Sequence, residues 1–220
     1  HDLPGARREL DALRQLWHES TGNDALSLTG DKASKGAVRS ALPKSDTVHF
    51  ATHAFSDDGS DCANGLLAAR GIRLSDAATP RIAPGLSGLV LAADAHAAPG
   101  DRDGLLTALE IATFDLDAVH SVTLAACDTG GGPVRPDEGV FGLVRAFRLA
   151  GARNVVMSLW SVDDEATADF MQRLYRARWS DRESPSIALA SAARATLAAR
   201  RAAGKSTHPY YWAAFVSSGN

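Results

Sequence analysis

Thr47-Val48-His49-Phe50-Ala51-Thr52-His53-Ala54-Phe55 is the stretch on which the fold turns. Its two histidines stand four positions apart. That is the spacing of the metal-binding helix H-E-x-x-H, but Phe50 occupies the place of the glutamate that would act as general base. Thr47, Val48 and Phe50 favour a strand, because β-branched and aromatic side chains suit a pleated, half-buried surface. In a strand, four residues cover about 13 Å at roughly 3.3 Å each. Two histidines so placed share a face but cannot share one ion, whose ligands sit about 2 Å from it. No metal site is expected. The segment predicts a strand over 48–52, with His49 a core histidine holding a hydrogen-bond partner. His53 falls where the strand yields to a polar turn at 56–61, at the kind of edge where parallel α/β sheets build their sites.

A second stretch repeats the arrangement. In Val122-Thr123-Leu124-Ala125-Ala126-Cys127-Asp128-Thr129-Gly130 an apolar strand, predicted over 119–126, runs out into a glycine-rich loop that begins with cysteine. If both strands are parallel in one sheet, His53 and Cys127 emerge at the same edge. A thiolate is an effective nucleophile, and a neighbouring imidazole activates it or protonates the leaving group. Gly130, Gly131 and Gly132 permit tight turns and close approach of a substrate chain. The backbone N–H of Cys127 is a natural oxyanion donor. A buried, inert role is the competing reading of any single cysteine. Cys62, in a polar loop, is read as structural or incidental.

Other chemistries fit less well. Asp128-Thr129-Gly130 matches the aspartic-protease triplet, but that mechanism needs two aspartates sharing a proton, and the chain carries one copy in a helix-rich context. The three glycines are followed by no lysine, so no phosphate-binding loop is formed. Asp57, Asp58 and Asp61 lack the spacing of a complete calcium loop and read as a solvated turn.

Outward from these stretches the pattern alternates. A helix is predicted at 5–18, with Leu10, Leu13, Leu16 and Trp17 at helical spacing. A short helix follows, capped by Asp31 and stopped by Pro43. Residues 65–74 suggest a hairpin, 88–93 a strand, and 105–114 a helix. A helix at 138–150 ends at Gly151, and a strand follows at 154–160. Helices are expected at 164–179 and 185–203, with Pro185 in the first turn of the second. A last strand is placed at 212–217. Nearly all-apolar strands between helices mean an α/β domain with a mostly parallel sheet covered on both faces.

The chain has 220 residues, 45% hydrophobic and 22% charged, with a net charge of -3. That length suits one domain spanning 1–220. The mild acidity gives no electrostatic case for nucleic acid or an anionic membrane surface. No apolar run is long enough to span a bilayer. No signal peptide is visible. Two cysteines make no disulfide framework, and a cytoplasmic setting is expected. His1 in place of an initiating Met suggests part of a longer protein.

The residues around His53 and Cys127 resemble the CHAT domain, the bacterial branch of caspase-like cysteine peptidases. Further stretches carry the resemblance: Gly104-Leu105-Leu106-Thr107-Ala108-Leu109-Glu110-Ile111, Glu138-Gly139-Val140-Phe141-Gly142-Leu143, Ser158-Leu159-Trp160-Ser161-Val162-Asp163-Asp164-Glu165, and His208-Pro209-Tyr210-Tyr211-Trp212. The resemblance implies a caspase–haemoglobinase-like three-layer fold and a dyad with Cys127 as nucleophile and His53 as acid/base. It also implies an oxyanion hole from the backbone amides of Cys127 and Ala54. The family usually has glycine where Ala54 stands; an alanine still offers its N–H. Trp160 with Asp163 or Asp164 resembles a segment lining the primary specificity pocket in separase, where a carboxylate could pair with a basic side chain. Asp163 as a helix cap is the competing reading. The resemblance further implies no cofactor, a protein or peptide substrate, and an N-terminal helical-repeat sensor in the same polypeptide. A cysteine endopeptidase doing limited, regulated proteolysis is the expected function; a catalytically silent interaction module of the same fold is its rival.

Overall fold

The computed structural model describes residues 4–56, 87–125, 139–160 and 164–219. Helix α1 spans Pro4–Thr21 and α2 spans Lys35–Ala41. Strands β1 (Thr47–Phe50), β2 (His53–Ser56), β3 (Ser87–Val90) and β4 (Leu105–Thr107) follow, and then a one-turn helix α3 (Ala108–Ile111). Beyond it come β5 (Ser121–Leu124), α4 (Gly139–Leu149), β6 (Asn154–Ser158), α5 (Asp164–Trp179), α6 (Pro185–Ala202) and β7 (Phe215–Gly219).

The strands form two sheets among the described residues. The larger has the order β1-β5-β6-β7. Its first three strands are parallel and β7 is antiparallel to β6. The smaller, β2-β3-β4, is antiparallel.

Side-chain alternation along the larger sheet separates two apolar cores. Phe50, Val122, Leu124, Val155 and Met157 face Leu143, Val144 and Phe147 of α4. Val156 and Phe215 face the other way, onto Leu13 and Leu16 of α1 and Phe170, Met171 and Leu174 of α5. Helices thus cover both faces, which makes the α/β, three-layer, caspase–haemoglobinase-like architecture with a mostly parallel central sheet.

Several boundaries differ from the sequence reading. The strand expected at 48–52 stops at Phe50, and His53 opens a second strand in the other sheet. The larger sheet's ladder ends where Ala125 N–H donates to Phe50 O at 2.9 Å. Just beyond, the Thr52 hydroxyl donates to Val90 O and draws the chain toward β3. His49 and His53 therefore do not share a strand. The helix expected at 105–114 is a strand followed by one helical turn. Leu105 and Leu106 are buried in the small sheet. The helix starts only after Thr107, whose hydroxyl accepts from Glu110 N–H while the Glu110 carboxylate accepts from Thr107 N–H.

Ser34, not Asp31, caps α2, accepting from Ala37 N–H at 3.4 Å. Asp31 sits in a separate 3-10 turn, Gly30–Lys32. The last strand begins at Phe215, because Pro209–Tyr211 form a 3-10 turn before it. Gly151 does end α4, at φ 110, pressed against Asp117. Pro185 does open α6. The hairpin expected at 65–74 lies outside the described residues.

α2 is fastened to α3 and to the 3-10 turn Pro99–Asp101 by a buried cation. The Lys35 side chain is only 3% exposed, with Nζ 2.6 Å from Glu110 Oε1. It also donates to Gly100 O at 2.7 Å. No helix among the described residues is long and apolar enough to cross a membrane.

Candidate active site

Three parallel strands end at one edge of the larger sheet. The pairing runs Thr47↔Ser121 to Phe50↔Leu124 between β1 and β5, and Leu124↔Met157 between β5 and β6. The edge therefore collects Phe50, Leu124 and Ser158, the last residues of these strands. His53 follows Phe50 by three positions, and Cys127 follows Leu124 by three. Both strands reach the edge in step, and the Ala125–Phe50 backbone bond is the rung after which the chains diverge.

His53 lies at the start of β2, register partner of Val90, and is 8% exposed. Ala54 pairs with Leu89, and its methyl packs on the core beneath α4. Arg182 is the single non-glycine residue at positive φ among the described residues. Ala54 thus occupies ordinary extended backbone, where a β-carbon carries no conformational cost. Trp160 lies two residues beyond β6 at this same edge. Its indole N–H donates to Tyr210 O at 2.9 Å, and its ring stacks on Tyr210 at 6.3 Å between centroids.

Cys127 lies outside the described residues, as do Cys62, Asp57, Asp58, Asp61, Asp128, the glycines 130–132 and Asp163. Asp164 opens α5. The structure thus brings His53, Ala54 and Trp160 to the strand ends, with Ala125 leading toward Cys127.

His49 has the core role that its position suggested. It faces the α1/α5 layer, with Nδ1 3.1 Å from the Tyr175 hydroxyl and Nε2 2.7 Å from Glu9 Oε1. Tyr175 in turn donates to Thr123 Oγ1 at 2.8 Å. Burial pushes the Tyr175 phenol well above its usual range, with the bond to Thr123 opposing. No group of three His, Cys, Asp or Glu side chains among the described residues is placed to hold a metal ion.

Glu9, Thr123 and Tyr175 were not anticipated. Glu9 left one trace: it stands four residues before Leu13 and seven before Leu16, on the stripe of α1 that is buried. A carboxylate on a helix's apolar stripe asks for a partner. Nothing local in the sequence names that partner.

A cleft of about 600 Å³ lies at the opposite edge, where β5 and β6 begin. His120, Arg148, Arg153 and Arg178 line it, remote from the strand ends. It is not part of the candidate site.

A family model described as the CHAT domain matches residues 1–220. Among characterised proteins, the chain is similar to tetratricopeptide repeat protein 28 of Mus musculus, 28% identical over 203 residues. The protein of the same name from Homo sapiens is 29% identical over 203 residues. In each case the match covers 88% of this chain and 8% of the relative. The chain therefore spans under a tenth of those proteins' length.

Proposed function

Because the chain belongs to the CHAT domain family, a caspase-like peptidase family, we propose that it is a cysteine endopeptidase acting by limited, regulated cleavage of partner proteins. The observation that supports this most is the in-step arrival of β1 and β5 at one edge, closed by the Ala125–Phe50 rung. In this reading the Cys127 thiolate attacks the scissile carbonyl carbon and forms a tetrahedral oxyanion. The backbone N–H groups of Cys127 and Ala54 receive that charge. His53 holds the thiol proton and delivers it to the departing amine, which leaves a thioester. Water, deprotonated by the same imidazole, then releases the acid and restores the thiol.

Trp160 would form one wall of the primary pocket, its indole already fixed by Tyr210. Asp163 or Asp164 would supply a carboxylate for a basic side chain. The matched relatives are named for tetratricopeptide repeats. We extend the proposal accordingly: a helical-repeat region in the same polypeptide senses a signal and gates the peptidase.

The test is a peptide-library screen of wild type, Cys127→Ala, His53→Ala and Asp128→Asn, with alkylation of Cys127 followed by mass spectrometry. Cleavage is expected to vanish in Cys127→Ala and His53→Ala and to survive in Asp128→Asn. Cleavage that persists without Cys127 ends the proposal. A folded wild type whose Cys127 alkylates no faster than a free thiol favours the silent interaction module.

A further inference from the structure

A buried polar chain crosses the larger sheet on the face that α1 and α5 cover. Glu9, 3% exposed, reaches His49 from α1; His49 meets the Tyr175 hydroxyl; Tyr175 donates to Thr123. The His49 and Tyr175 rings also meet edge-on, with centroids 5.5 Å apart. Four elements are joined: α1, β1, α5 and β5.

Where the chain crosses the sheet is informative. His49 and Thr123 are register partners on adjacent parallel strands. His49 stands four residues before His53, and Thr123 four residues before Cys127. A single hydroxyl bridges the rung that stands, in sequence, four residues before each member of the candidate dyad. Apolar side chains would fill this rung more cheaply, since a buried carboxylate, imidazole and hydroxyl each give up hydration. In exchange the polar chain fixes geometry. Beyond its backbone bonds and the apolar packing under α4, the four-rung parallel ladder has this polar bridge on its other face, and it ends one residue beyond Phe50. Dyad chemistry tolerates little play there, because about 1 Å of misplacement can cost on the order of a hundredfold in rate.

We propose that Tyr175 is a positioning residue: its hydroxyl pins β1 to β5 at the His49–Thr123 rung, and Glu9 extends the pin to α1. Seating of α1 then sets the alignment of the two strand ends. The catalytic consequence rests on the peptidase reading above; the pin itself concerns the sheet and is measurable without activity.

The experiment compares wild type with Tyr175→Phe, Thr123→Val and their double variant. Glu9→Gln and Glu9→Ala are added. Phe170→Leu, which loosens the stacking on Phe215 in the same helix layer, serves as the stability control. The first measurement is amide hydrogen exchange at Ala125. Tyr175→Phe should raise it about tenfold relative to amides of β6, through local opening of the rung, and Phe170→Leu should not. The second is kcat and KM on a peptide substrate, with the alkylation rate of Cys127. Tyr175→Phe should lower kcat by about tenfold or more with KM nearly unchanged.

The double variant should match Tyr175→Phe alone, because both changes remove one shared bond. Glu9→Gln, whose amide oxygen still accepts, should retain most of the rate that Glu9→Ala loses. Unchanged exchange at Ala125 in Tyr175→Phe, or additive effects in the double variant, would overturn the pin. Slow alkylation of wild-type Cys127 would remove the peptidase reading instead, and the exchange measurement would still decide the pin.

Discussion

Replacing Lys35 with methionine tests whether the buried cation holds α2 to α3 and the Pro99–Asp101 turn by charge or by bulk. Methionine keeps the length and apolar stem and removes the ammonium. The change deletes the contact to Glu110 Oε1 at 2.6 Å and the bond to Gly100 O at 2.7 Å. A hydrogen bond to a charged group contributes roughly 1.5–3 kcal/mol, and an orphaned carbonyl costs about 1 kcal/mol more. Two features reduce that sum. Glu110 is 33% exposed and partly solvated, and Arg39 Nη2, 3.7 Å from Oε1, can move in. Relief of burying an ammonium offsets a further part. The net expectation is a loss of about 2 kcal/mol near neutral pH, or about 4–8 °C in Tm.

The pH dependence carries the diagnosis. Burial pushes the Glu110 carboxyl up, but bonds to Lys35 and to the Thr107 amide and hydroxyl outweigh it and hold it below its ordinary value of 4.5. A carboxylate held low in the folded state contributes stability that is present above its unfolded value and lost as pH falls through its folded value. Without Lys35 the burial remains and the main opposing bond is gone. The gap between wild type and variant should therefore be full above about pH 5 and shrink below it. Urea denaturation from pH 7 down to pH 3 measures it. A gap of constant size across that range would show that Lys35 acts by packing, and the electrostatic reasoning would be wrong.

Gly151→Ala should cost about 3 kcal/mol, because φ 110 excludes a β-carbon and the new methyl would collide with Asp117; a shift in the urea midpoint reads it. Thr107→Ala should lose about 1 kcal/mol with the capping box and Thr107→Ser should restore most of it, both read by thermal denaturation. Asn154 Nδ2 donates to Ser217 Oγ at 2.8 Å across the β6–β7 pair. A double-mutant cycle of Asn154→Ala and Ser217→Ala should return a coupling of about 1 kcal/mol, and additive effects would deny that bond a role.

The layers were legible because local rules and tertiary outcome agree there. Apolar runs read correctly as β5 and β6, and helical spacing bounded by Gly151 or Pro185 as α4 and α6, since strand and helix periodicities report burial directly. The misreading at 48–55 has a long-range cause. Nothing between Val48 and Phe55 interrupts an apolar strand pattern, so the turn from one sheet to another is invisible locally. It is made by groups far away in the chain: Val90 O takes the Thr52 hydroxyl, and Ala125 takes the last carbonyl of β1. The segment 105–114 failed for the opposite reason. Its helical spacing was real, but Thr107 and Glu110 form a local cap that starts the helix three residues late.

The two histidines show how much of the site could be read from such rules. Alternation along one continuous strand would place His49 and His53 on the same face, in like surroundings. The break at residues 51–52 ends that equivalence. His49 stays in the parallel sheet, its nitrogens facing Tyr175 and Glu9. His53 passes into a second sheet at the edge where β5 also ends. The sequence reading kept the two histidines apart, as their places in two different sheets do, though it reached that through the wrong geometry. Sequence identified which histidine stands at an edge, because strand ends are local. It could not identify the polar chain behind that edge, because Glu9, Thr123 and Tyr175 meet only after three separate elements have packed on β1. Buried polar partners drawn from separate elements are thus harder to read than a residue at a strand end, and a charged group on a helix's buried stripe is the one mark of them that survives in the sequence.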